Sequence, residues 1–205
     1  MRTIVISVLS LLVFNQAKSQ YLPVDTEKLN TSYQSLLQQP NSAERQKAFF
    51  EAFPSNWGEF IGTYQYVPDK EYDLTMYRCV NEHIEALKTK MTQINDLDYC
   101  KKLVNIAIGA QLEADAPNHF QRLLHDAMWR KMDGMLNAIS KLRKGYQMQF
   151  WQFYWSNPVK SKSLETEYER LSKQISDTYP EETKMMEIAF KYFYDGVNID
   201  GGYQN

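Results

Sequence analysis

The chain has 205 residues, of which 43% are apolar and 14% aromatic, with 23 Lys and Arg set against 25 Asp and Glu. A formal charge of −2 offers no basic stripe for nucleic acid. Eight Gly and seven Pro are too few for an all-β sandwich, which needs a turn about every ten residues.

The opening stretch reads as a secretory signal. Arg2 supplies the positive start, residues 4–14 form an apolar run broken by two serines, and Ala17-Lys18-Ser19 offers small residues for cleavage. The run covers about 16 Å as a helix, about half a bilayer core, so it is too short to span one. No cysteine lies in or just after it to carry a lipid. Residues 1–19 are therefore expected to leave. Residues 20–205 are expected to form one domain in the periplasm, with no membrane span. Loss of Arg2 and Lys18 takes the charge to −4.

Helical spacing dominates the rest of the chain. Residues 25–39 look helical and stop at Pro40. Ser42 can cap a helix that runs to Phe53 and is stopped by Pro54, and Ser55 can cap a short one to about Tyr64. In residues 71–94, Tyr77, Val80, Ile84, Leu87, Met91 and Ile94 form one stripe. Asn95-Asp96 then breaks the pattern and caps a helix carrying Leu97, Cys100, Val104, Ala107 and Ile108, with Gly109 near its end. The two read as a helical hairpin.

Asp115-Ala116-Pro117 has the form of a helix start. From Phe120 an apolar stripe continues through Leu124, Met128, Met132, Met135, Ile139, Leu142 and Tyr146 to Phe150 and Phe153. So long a helix should break or kink near Gly134 or Gly145, and Asn157-Pro158 ends it. Ser163 can cap a helix bearing Leu164, Tyr168, Leu171 and Ile175. A last helix opens at residues 178–182, where Glu181 and Glu182 suit the helix dipole, and Gly196 and Gly201-Gly202 mark a loose tail. The sum is an all-α, single compact bundle of eight to nine helices. No fixed-period repeat suggests a solenoid.

Chemistry is sparse. In an oxidising compartment two cysteines suggest a disulfide. A continuous antiparallel hairpin would offset Cys79 from Cys100 by about 15 Å, whereas a disulfide needs Cα atoms within about 7 Å. The bond therefore requires the first helix to break near residues 88–92; two buried free thiols are the other outcome. Cys79 and His83 have a spacing zinc can use, but a third ligand from Cys100 meets the same offset. Asp115, His119, His125 and Asp126 cluster in sequence, yet six residues turn a helix by about 600°, so the two histidines do not align. No nucleophile elbow, zinc-protease motif or phosphate loop is present. No metal, cofactor or catalytic residue is assigned, and the chain reads as a non-enzyme.

The most unusual stretch is residues 146–155, where Phe150 and Tyr154 share one face and Trp151 and Trp155 another. Aromatic residues cover too much of the circumference for an ordinary surface helix. Either this is a central helix packed on several sides, or Trp151 or Trp155 is exposed as an anchor for a partner or a sugar.

Residues 48–64 carry a double Phe, then Phe53-Pro54, then Trp57 and Glu59 before Phe60 and Tyr64. Together with the aromatic block, this pattern resembles a signature of exported all-helical proteins of Bacteroidota. The resemblance spans most of the mature chain. It implies export and a helical fold, and by analogy with periplasmic immunity proteins it implies binding of an interbacterial toxin. It fixes no residue's role. The expected partner is thus another protein, a toxin or an envelope component. The alternative is a non-catalytic envelope-associated protein with structural or glycan contacts. On the residues alone, Phe49, Phe50, Phe53, Trp57 and Phe60 would fill a packed corner between two helices.

Overall fold

A computed structural model describes residues 21–66, 71–112, 115–157 and 160–196. The expected secretory signal and the expected loose tail after Gly196 lie outside the described residues. Among the described residues ten helices succeed one another: α1 (Thr26–Gln38), α2 (Ala43–Ala52), α3 (Trp57–Tyr64), α4 (Glu71–Lys90), α5 (Asp96–Ala107), α6 (Asp115–Arg130), α7 (Met132–Ser140), α8 (Lys144–Trp155), α9 (Lys162–Ile175) and α10 (Pro180–Gly196). There is no strand among the described residues. The all-helical bundle stands, with ten helices in place of eight or nine.

Side-chain caps start several helices. Asp25, Ser42, Asn56, Asn95 and Ser161 each accept a backbone N–H of the first turn of α1, α2, α3, α5 and α9. Asn56 and Ser161 replace the expected Ser55 and Ser163. Ser55 instead donates its backbone N–H to Glu59 at 2.8 Å, so Glu59 reaches back in the manner of a capping box.

The expected long helix over residues 117–155 is three helices. Lys131 breaks it between α6 and α7, and residues 141–143 break it between α7 and α8. The breaks fall near both glycines, as expected, though on neither. Gly145 sits in the first turn of α8 and Gly134 lies inside α7, where it permits close packing: a Cβ there would stand 2.8 Å from Cys100 Sγ on α5. Each break resets the helical phase. Tyr146, expected on the apolar stripe, is therefore exposed, and Gln147 is buried in its place.

The expected hairpin of α4 and α5 is also corrected. α4 packs on α6 and α3, and α5 packs on α7, α8 and α3. The same skip along the chain recurs in α6 with α8 and α8 with α10, while α1 with α2 and α9 with α10 are adjacent pairs. A periodic stripe says which face of a helix is buried, not which helix covers it.

The corner expected at residues 49–60 forms. Phe49, Phe53, Trp57 and Phe60 are buried and Phe50 half-buried, and Phe60 and Trp57 pass the ring contacts on to Phe120 of α6 and Phe153 of α8. Lys102 of α5 fastens this corner from below, donating to the Phe50 carbonyl at 2.5 Å and the Phe53 carbonyl at 2.8 Å. The carbonyls at the end of α2 thereby gain a cation where the helix dipole favours one. Burial pushes the Lys102 ammonium down to about 8, against a smaller opposing pull from Glu59 and Glu51. Buried Gln46 ties α2 to two loops: its amide nitrogen donates to the Pro40 carbonyl and Thr92, and its oxygen accepts from Gln93 N–H at 2.7 Å.

α8 is the hub. It packs on α5, α6, α7 and α10. Phe150, Trp151, Phe153, Tyr154 and Trp155 are all essentially without solvent exposure. No helix of the described residues is long and apolar enough to cross a membrane.

Candidate functional site

Trp151 and Trp155, the candidate anchors of the sequence, are 0% and 1% exposed. Neither is placed to reach a partner, because α8 is covered on several sides. An aromatic–cation pair, half-buried Trp129 with exposed Arg170, lies elsewhere, in a cleft of about 500 Å³ between α6 and α9.

The cleft is built from two helix faces. On α6, Phe120, Leu124 and Met128 enter the core, and His125 and Trp129, four residues apart, run along the flank of that stripe. On α9, Leu171 and Ile175 enter the core, while Ser163, Thr166, Glu167 and Arg170 recur at three- and four-residue steps on another face. Tyr154 of α8, fully buried, lies beneath His125 and Glu167.

Glu167 binds these parts together. Its Oε1 faces His125 Nδ1 at 2.7 Å, and it accepts from the Tyr154 hydroxyl at 3.2 Å and Trp129 Nε1–H at 3.4 Å. Burial alone would raise this carboxyl. Hydrogen bonding and attraction from His125, with the Trp129 and Tyr154 bonds, outweigh that and hold it below its ordinary value. The His125 ring lies flat on Tyr154, centroids 4.1 Å apart, and its Nε2 sits 2.9 Å from the Tyr154 carbonyl. Burial, then the Glu167 charge and hydrogen bond, raise the Tyr154 hydroxyl well above its usual value.

At the mouth, the Arg170 guanidinium stacks 3.6 Å from the Trp129 ring centroid, a close cation–π pair. Both nitrogens of His125 are held by acceptors of the protein itself. The His125–Glu167 pair is therefore a brace joining α6, α8 and α9, and it presents no nitrogen to a reacting group.

No family model, curated protein or solved structure matches this chain.

The remaining candidates are dispersed. Cys79 is half-buried, Cys100 is buried, and both are free thiols. Burial raises both thiols, Cys100 to about 11 despite an opposing pull from Lys131. His83, four residues from Cys79, points into the core, where Tyr64 Oη lies 2.8 Å from its Nδ1 and Tyr33, Phe49 and Tyr64 surround the ring. The acidic and histidine cluster separates onto five partners: Asp115 on Tyr77, His119 on Arg122, His125 on Glu167, and Asp126 on Arg130 and Lys88. Among the described residues no three His, Cys, Asp or Glu side chains converge as a metal site would require.

Sequence spacing does not single out Trp129, Glu167 or Arg170. The three- and four-residue recurrence of Ser163, Thr166, Glu167 and Arg170 is visible in it, but nothing there says that α6 lies opposite.

Proposed function

We propose that this chain is an exported, non-catalytic protein-binding module, most concretely an immunity protein that captures a toxin delivered by a neighbouring cell. The supporting observation is the Trp129–Arg170 pair at the mouth of the α6–α9 cleft. Trp and Arg are the residue types that most often dominate binding energy, and they do so when held rigid beside a partly covered pocket. Here Glu167 fixes Trp129 from behind, so the platform has little rotamer freedom left to lose on binding. His125 is occupied by its own neighbours, which supports docking over catalysis.

The test is co-expression in a sensitive host with each effector-like gene found beside this one. Protection by the natural chain, and its loss in Trp129→Ala and Arg170→Ala with folding retained, supports the proposal. Each substitution should weaken the complex at least about thirtyfold, the effect of an interface hot spot. Equal protection by the natural chain and both variants would remove the cleft from the contact, and no protection against any neighbouring effector would remove the immunity reading.

A further inference from the structure

A second cleft, of about 510 Å³, opens where the end of α5 meets α8 and α10. Its chemistry differs from that of the α6–α9 groove. Among the described residues none that lines it carries a charge, in a chain where 23% of residues do. Along α8, Gln149, Gln152, Phe153 and Ser156 share one face at steps of three and four. The loop after α5 contributes Gln111; it turns at Gly109, whose φ of +74° is a left-handed conformation that glycine adopts without strain. From α10 come Tyr192, 68% exposed, and Phe193. The two rings meet edge to face, centroids 5.2 Å apart at 85°, so Phe193 orients Tyr192.

Gln111 and Gln149 are exposed and Gln152 half-buried, and among the described residues none of their side-chain amides is spent on a hydrogen bond within the protein. Each offers two donors and an oxygen with two lone pairs. Such a set suits a ligand whose groups both donate and accept, as sugar hydroxyls do, and the exposed face of Tyr192 suits the flat C–H face of a pyranose ring. Phosphates and carboxylates favour Arg or Lys, and the described lining has neither. An apolar ligand would strip water from three amides without replacing it. A volume of this size is in the usual range for a small-ligand pocket.

We propose that the cleft between α5, α8 and α10 binds a short neutral oligosaccharide, so that the protein can be held on an envelope glycan by a surface separate from the α6–α9 groove.

The experiment is isothermal titration calorimetry of the purified protein with maltotriose, chitotriose and trigalacturonic acid. The first two separate a hydroxyl-only sugar from one bearing N-acetyl groups, and the third is the charged control. We expect saturable binding of at least one neutral trimer below about 1 mM, little changed by added salt. Gln149→Ala and Tyr192→Ala should each weaken it at least about tenfold with an unaltered melting midpoint, and Trp129→Ala should leave it unchanged. No saturation by either neutral trimer up to about 10 mM, a preference for the charged trimer, or equal binding by both cleft variants would each overturn the proposal.

Discussion

The buried His83 makes stability depend on mild acid, and the size of the effect can be worked out. Its side chain is 0% exposed, and burial pushes the imidazole down to about 4 from the ordinary 6.5. Between those values the unfolded chain binds a proton that the folded chain refuses, so acid favours unfolding. The contribution is complete above pH 6.5 and is lost as pH falls toward 4. At 1.36 kcal/mol per pH unit, the loss is about 2 kcal/mol at pH 5 and about 3 kcal/mol near pH 4. The ring's Nδ1 pairs with Tyr64 Oη at 2.8 Å, while Nε2, which a protonated ring would have to carry as N–H, faces no hydrogen-bond partner among the described residues. Urea unfolding at pH 7 and pH 5 should therefore show a larger acid loss in the natural chain than in His83→Gln, by about 2 kcal/mol. The comparison of two chains cancels every other titrating group, including His119, which is also lowered from its ordinary value. Should the variant be unfolded at neutral pH, an NMR titration of the His83 ring reads the same quantity. A midpoint near 6, or equal acid losses in both chains, would refute the reasoning.

Other positions give independent tests. Trp151→Ala should cost about 3–5 kcal/mol, as removal of a large core aromatic does, whereas Trp129→Ala should cost about 1 kcal/mol, from one stacked cation and one long hydrogen bond; comparable losses in denaturant melts would contradict the assignment of one to the core and the other to the cleft. Gly134→Ala should destabilise by about 1–3 kcal/mol because its Cβ would meet Cys100 Sγ at 2.8 Å, and in a Cys100→Ala background the cost should vanish or become a gain of up to about 1 kcal/mol from helix propensity. Denatured without reductant, the protein should give two reactive thiols per chain, and in the native state Cys100 should react far more slowly than Cys79, being buried and raised to about 11. A count of zero thiols would mean a disulfide between the two.

The features legible in the sequence are those that depend on neighbours three or four residues away. Val80, Ile84 and Leu87 lie buried along α4 and Met91 just past its end, as their spacing requires, and Ser42 and Asn95 cap the helices that their positions announce. The break at Lys131 carries no such local signal. It has neither proline nor glycine and no side-chain cap, and α7 restarts one residue later. Such a stop is set by the surfaces that α6 and α7 must reach: α6 lies on α4, and α7 on α5. His83 is deceptive for a related reason. A polar residue at a core position looks like a ligand until the three aromatic rings that enclose it, from α1, α2 and α3, are brought together in space.

The same limit explains why the aromatic block misleads and why both clefts lie beside it. A helix that is aromatic nearly all round has to be covered nearly all round. α5, α6, α7 and α10 supply that cover for α8, yet helices are cylinders and leave gaps where they diverge. One gap sits over Gln149 and Gln152, the polar positions of α8, and another over Tyr154, where His125 and Glu167 fill the floor and Trp129 and Arg170 stand at the mouth. Trp151 and Trp155 therefore bear on the two clefts only indirectly, by fixing the helix against which both are built. Accordingly Trp155→Phe, which keeps an aromatic ring in the core, should leave ligand affinity at both clefts within about twofold, while truncation to Ala should weaken the two together. Loss of binding at only one cleft in Trp155→Ala would show that the floor of each is held by something other than α8.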